Sequence, residues 1–251
     1  AVQMPYKDEI MSICHIFASL GVIIHDNMEY RRLTEAECDD LAGRIIYEDN
    51  HILVINKRAG EIVQGDKTGD EPLGETYKAF IAQRDSKPGK VFLGVPHRLD
   101  RPVSGLTILA KTSKALERLS AMFREGQVHK TYWALVCSRP DQDSALLEDW
   151  LGRNEKMNKS FVCAHPEGRK DARLAKLRYR ILCPTERYWL VEVELLTGRH
   201  HQIRCQLAAH GAIIKGDLKY GAPRSNRDGS ISLMARHVSF IHPVKKTPLH
   251  L

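Results

Sequence analysis

Successive strand-like runs with no helix between them restrict the fold of this chain more than any single residue does. Residues 130–136, 177–181 and 189–196 read as strands, and the last two alternate apolar with polar positions, Val191 and Val193 against Glu192 and Glu194. A period of two means a sheet with one wet face, and strands that lack crossover helices pair antiparallel. Upstream, 45–47 and 52–55 are apolar runs split by Glu48-Asp49-Asn50, which predicts a hairpin. Helical spacing occupies 76–84 and returns where Ser113 can cap a helix carrying Leu116, Leu119 and Phe123 before Gly126. The order β, α, β-rich, α, β predicts an α+β domain built on a largely antiparallel mixed sheet flanked by helices and loops. Residues 152–173, rich in Lys, Arg, Asn and Gly, read as a long basic loop or irregular hairpin. Ahead of the sheet, Ile10, Ile13, Phe17 and Leu20 recur at helical spacing, and Thr34-x-x-Glu37 matches a capping box. Residues 1–42 therefore read as a short helical extension and 43–251 as the main domain.

Charge narrows the partners. The 38 Lys and Arg exceed the 31 Asp and Glu by seven, which fits a polyanion. Six scattered cysteines, none in a Cys-x-x-Cys pair, read as reduced and mostly core thiols and argue against a zinc ribbon or a disulfide scaffold. No apolar run approaches the roughly eighteen residues of a membrane span, and no basic start leads into an apolar segment. The expectation is a cytoplasmic protein.

Two clusters carry chemistry. In His97-Arg98-Leu99-Asp100-Arg101-Pro102-Val103-Ser104-Gly105 one carboxylate lies among arginines, and nearby cations keep such a group ionised. Ionised carboxylates act as covalent catalysts at sugar centres, and the basic surround attracts a phosphodiester backbone. The alternative is a surface aspartate tied into its loop by its neighbours. In Thr197-Gly198-Arg199-His200-His201-Gln202-Ile203-Arg204 a glycine turn leads from a strand into a helix that ends at Gly211. The helix start and the charges of Arg199 and Arg204 together attract an anion. Arg204, one turn in, can reach back to Asp100 and hold it ionised. Adjacent histidines face different sides of a helix, so His200, His201 and His210 are expected in hydrogen-bonding roles and no metal is expected. Asp217, inside Gly216-Asp217-Leu218-Lys219-Tyr220-Gly221, reads as a structural hydrogen-bond partner. Walker, Rossmann and Gly-x-Ser-x-Gly motifs are missing from the sequence.

These residues resemble the RluA-type family of RNA pseudouridine synthases. Residues 44–60 are similar to its entry hairpin ending in Asn-Lys-x-Ala-Gly, 97–105 to its His-Arg-Leu-Asp loop, and 198–221 to its Gly-Arg-x-His-Gln-Ile-Arg to Gly-Asp-x-x-Tyr-Gly block. Lys130-Thr131-Tyr132 and Phe240-Ile241-His242-Pro243 add a fourth and fifth segment. The resemblance implies the pseudouridine synthase catalytic fold, with Asp100 as the catalytic aspartate, Tyr132 against the target uracil and Arg204 paired with the aspartate. Arg98 would enter the RNA stack as the uridine leaves it, and His97, Arg101, Lys130, Arg199, His201 and Ile203 complete the substrate-binding set. It implies isomerisation of a uridine in ribosomal or transfer RNA, without cofactor or metal, by a cytoplasmic monomer that binds RNA and not DNA or membrane. Val103, Arg58, Gln206 and Met234 stand where the family commonly has Thr, Pro, His and His, and no S4 domain is recognisable in 1–42. The contrasting expectation is a non-catalytic RNA-binding or ribosome-assembly protein using the same basic cleft.

Overall fold

In the computed structural model, residues 30–66, 68–87, 89–167 and 169–251 are described, and the helical spacing expected at Ile10–Leu20 lies outside them. Among the described residues, ten strands form one sheet. They are β1 (Ile45–Glu48), β2 (Ile52–Lys57), β3 (Ser104–Ala110), β4 (His129–Val136), β5 (Ser144–Asn154), β6 (Lys159–Val162), β7 (Arg173–Pro184), β8 (Trp189–Leu195), β9 (Leu233–Ile241) and β10 (Pro248–His250). Their order is β1-β2-β3-β9-β4-β8-β7-β5-β6, with β10 on β9. Every pairing is antiparallel except β3 with β9.

The alternation works as expected in the centre of the sheet. On β4, Tyr132, Ala134 and Val136 are buried, and they share a core with Val191 and Val193 of β8 and Leu177 of β7. On the other face Glu192 and Glu194 stand opposite Arg180 and Arg178, with hydrogen bonds of 2.7 and 2.6 Å. The continuous apolar run of β2 reflects burial on both faces. One face meets α3 (Ser113–Arg124), whose Ala115, Leu119 and Met122 pack with Ile52, Val54 and Ile108.

Helix α1 (Glu35–Gly43) has the complete capping box between Thr34 and Glu37. It is tied to α2 (Leu73–Arg84) by the Tyr77 hydroxyl, which donates to the Leu41 carbonyl at 3.0 Å. Two local readings shift: helix α2 begins at Leu73, with Pro72 as N-cap, and α3 is capped by Thr112, which accepts from the Ala115 N–H, and not by Ser113. Of the two readings of the basic stretch, the hairpin describes its first part, where β5 pairs with β6 up to Val162. Of the five described cysteines only Cys163 and Cys205 are buried, so the core-thiol expectation holds for those two alone. No helix among the described residues is long and apolar enough to cross a membrane.

Gly105 sets the junction that positions the Asp100 loop. At φ +111° it pairs with Ala235 across the parallel contact, and an added Cβ would lie 2.2 Å from the Ala235 carbonyl oxygen. Only glycine lets β3 approach β9 this closely directly after the 97–103 loop.

Candidate active site

Backbone contacts fix the loop before its side chains are considered. The Gly60 N–H donates to the Arg101 carbonyl at 2.8 Å, and the Ile231 N–H to that of Pro102 at 3.1 Å. Lys57, at the end of β2 and fully buried, donates through Nζ to the carbonyls of Val103 (2.6 Å), Arg58 (2.9 Å), Arg101 (3.2 Å) and Asp100 (3.3 Å). Burial pushes the Lys57 pKa down to about 8, against the pull of Glu61 and Asp100. A lysine ending an apolar run reads in sequence as the last polar residue of a strand, and nothing local marks it as the pin of this loop.

Opposite the loop stands α4 (Gln202–Ala209), entered through His201 in the left-handed region at φ 50°. The helix is stapled to the sheet by buried Gln206, which donates to Asp149 at 2.7 Å and to the Leu147 carbonyl at 3.3 Å. Arg204 is thereby aimed at the loop. Asp217 takes two of its hydrogen bonds, from Nε at 2.7 Å and from the second terminal nitrogen at 2.8 Å, and Asp100 Oδ2 takes a third at 3.1 Å. Burial works against the charge of Arg204, but the two carboxylates outweigh it and raise its pKa. Asp217 is thus the structural partner that the glycine-bounded turn suggested. One oxygen of Asp100 is held, and among the described residues Oδ1 accepts no hydrogen bond.

His201 Nε2 lies 3.1 Å from an Arg204 terminal nitrogen and accepts from it, because arginine only donates. Its Nδ1 therefore carries the proton and donates to the Tyr220 hydroxyl at 3.0 Å. That hydroxyl also accepts from the Ser160 N–H at 2.9 Å. Burial, helped by the Arg204 charge, pushes His201 down to about 2. His97 is pushed down to about 3 by burial and by Lys130; its ring stacks on Phe123 and its Nε2 accepts from the Ile108 N–H at 2.9 Å. Both imidazoles are neutral at physiological pH, so neither offers a phosphate a cation.

Asp100, Tyr132, Arg204, Arg98, His97, Lys130, Arg199, His201 and Ile203 all line one cavity of about 470 Å3. Burial and the Asp100 charge raise the pKa of Tyr132, which keeps its phenol neutral. Lys130 sits 5.5 Å from the centre of the Phe123 ring. Arg101 departs from the set. Its side chain turns to the opposite side of the loop, donates to the Gly60 carbonyl at 3.1 Å and pairs with Asp70. Arg101 therefore lies away from the cavity that the other expected substrate-binding residues line: adjacent turn residues diverge, and its own carbonyl is held on the far side by Gly60 and Lys57. Arg124 at the end of α3 and Arg153 on β5 also line the cavity. The basic composition of the 152–173 stretch signalled Arg153; nothing signalled Arg124.

A single carboxylate with one oxygen held and the other open, in a cleft otherwise rich in cations, is a centre suited to carboxylate chemistry on a polyanion. Residues 51–209 match the RNA pseudouridylate synthase family, and the chain belongs to that family. Ribosomal large subunit pseudouridine synthase C of Vibrio cholerae is 34% identical over 218 residues, which is 84% of this chain and 65% of the relative. Ribosomal large subunit pseudouridine synthase D of Zymomonas mobilis is 31% identical over 218 residues, 83% of this chain and 68% of the relative. The chain thus spans about two thirds of the length of these relatives. The fold matches that of human RNA pseudouridylate synthase domain containing 4 with a TM-score of 0.70 at 23% identity, over 86% of this chain and 90% of that one.

Proposed function

We propose that this protein isomerises uridine to pseudouridine in RNA, using Asp100 without a cofactor. The observation that carries the reading is the asymmetric hold on Asp100, a residue of the cavity wall whose Oδ2 is fixed by Arg204 while no described residue donates to Oδ1. A uridine must leave its stack to enter such a site, at a cost of a few kcal/mol, and is then stacked on an aromatic ring and gripped through its phosphates. Tyr132 supplies the ring, and Arg98, Arg124, Lys130, Arg153 and Arg199 supply the charge around it. Arg98 is exposed at the mouth, where it can fill the gap left in the stack. In the reaction the N1–C1′ bond breaks, the uracil turns while still enclosed, a C5–C1′ bond forms, and the C5 proton is lost as N1 gains one. The ionised carboxylate serves by attack at C1′, by attack at C6, or by taking the 2′ proton to give a glycal.

The names of the relatives point to large-subunit ribosomal RNA as the substrate, and we infer that the protein acts on it in the cytoplasm, as a monomer. The test uses a large-subunit ribosomal RNA transcript carrying tritium at uridine C5. Incubation with the protein is expected to release label to water at a stoichiometric number of sites, and chemical mapping should find pseudouridine at those sites. No release, with the transcript bound and intact, contradicts the proposal.

A further inference from the structure

A second basic hollow lies at the Val136 end of β4. It measures about 850 Å3 and is lined by Cys137, Arg187, Tyr188, Lys215, Arg224 and Arg227, among others. The carboxylate in its wall, Asp228, is occupied by the Ser230 N–H and hydroxyl at 3.1 and 2.6 Å. None of the four cations forms an ion pair among the described residues. Lys215 instead sits 5.3 Å from the centre of the Tyr188 ring, which fixes its ammonium without neutralising it.

This distinguishes the hollow from ordinary charged surface. On the outer face of the sheet and in the 139–143 turn, by contrast, exposed arginines meet carboxylates, as Arg178 does with Glu194 and Arg139 with Asp143. Here four like charges from three segments of chain converge on one concavity. Their mutual repulsion is relieved when an anion enters. The volume exceeds what one phosphate fills, and the cations are spread around the wall, which suits a polymer of phosphates.

The hollow is also joined to the catalytic cleft. Gly216 in its wall precedes Asp217, which holds Arg204, and the Ile231 N–H just beyond the 223–230 segment donates to the carbonyl of Pro102 in the Asp100 loop. Cys137 follows Tyr132 by five residues along the β4 direction, a span of about 16 Å at roughly 3.3 Å per residue. We propose that this hollow is a second RNA subsite, which grips phosphodiesters of the strand flanking the nucleotide in the cleft. Arg187, Arg224 and Arg227 offer forked donors to phosphate oxygens, and Lys215 offers a point charge. The proposal rests on the RNA-modifying reading given above.

The test measures binding of a large-subunit ribosomal RNA transcript by filter retention across a series of salt concentrations. Each phosphate contact on a single strand contributes about 0.7 to the slope of log K against log salt. The double variant Arg224→Ala/Arg227→Ala should be shallower than the wild type by about 1.4, and Arg187→Ala, on a different segment, by about 0.7. The control Arg178→Ala/Arg180→Ala removes the same charge from the outer face of β7 and should leave the slope within about 0.3 of the wild type. Wild-type slopes in both hollow variants overturn the proposal, as does an equal loss in the control. A wild-type protein that binds no ribosomal RNA fails the RNA reading and takes this subsite with it, a different result from binding with unchanged slopes.

Discussion

The loop that carries Asp100 forms part of the wall of two cavities whose charges are arranged in opposite ways. On one side lies the cleft of about 470 Å3, where Asp100 faces Arg98, Arg124, Lys130, Arg153 and Arg199. On the other lies a cavity of about 620 Å3 in which Asp40, Glu61 and Asp70 meet Arg44 and Arg101. There the charges close on themselves: Arg44 binds Glu61 at 2.5 Å and Asp40 at 3.4 Å, and Arg101 pairs with Asp70. Arg98 and Arg101 flank the same aspartate in sequence and end up with opposite roles, one open to a ligand and the other spent on the fold. Excess charge that the fold leaves unpaired marks the functional side, and charge density alone does not.

The sharpest way to break this comparison is the same change on each side. Asp217→Asn removes half of a pair whose side chains are 1% and 6% exposed. It should cost about 3–5 kcal/mol of stability, read by urea unfolding, because Arg204 is left buried and under-paired. Turnover should fall by about 10²-fold in what remains folded, as Asp100 loses its fixed partner. Next in size is Lys57→Met, which preserves the apolar stem and leaves buried carbonyls of the loop without their donor. A loss of about 1–3 kcal/mol is expected, with slower turnover at unchanged RNA affinity.

A pH series sharpens the contrast further. His97 and His201, both lining the cleft, have folded pKa values of about 3 and about 2 against an ordinary 6.5. The unfolded chain therefore binds more protons than the folded one below about pH 6.5, and stability falls as pH drops through that point. Each imidazole contributes up to about 1.4 kcal/mol per pH unit. Urea midpoints should decline steadily from about pH 7 to about pH 4.5, less steeply in His201→Asn, and a flat profile would refute neutral burial of these rings. The smallest effect belongs to Asp70→Asn in the other cavity, where the paired side chains are 56% and 39% exposed. Stability should change by under about 1 kcal/mol and tritium release by less than about twofold.

Much of this site was legible in the chain because its determinants are local. The helical offset of Arg204 from its glycine turn placed it within reach of Asp100, and the 3.1 Å hydrogen bond realises that pairing. The clean alternation of β8 and the Thr34 capping box also depend on near neighbours. Features set by distant contacts were not legible. Strand β5 carries Glu148, Asp149 and Arg153 among its apolar positions, so no clean alternation marks it in the sequence, and its place is defined by its pairing with β6 and β7. The direction of Arg101 depends on Gly60 and Asp70, and the role of Lys57 on carbonyls more than forty residues away.

Whether the Asp100 carboxylate is the reacting group is decided by tritium release from Asp100→Asn, which keeps the shape of the side chain and removes its negative oxygen. Release should drop by at least about 10³-fold while the transcript still binds with wild-type affinity. Release within about tenfold of the wild type would show that the carboxylate held by Arg204 is not the reacting group.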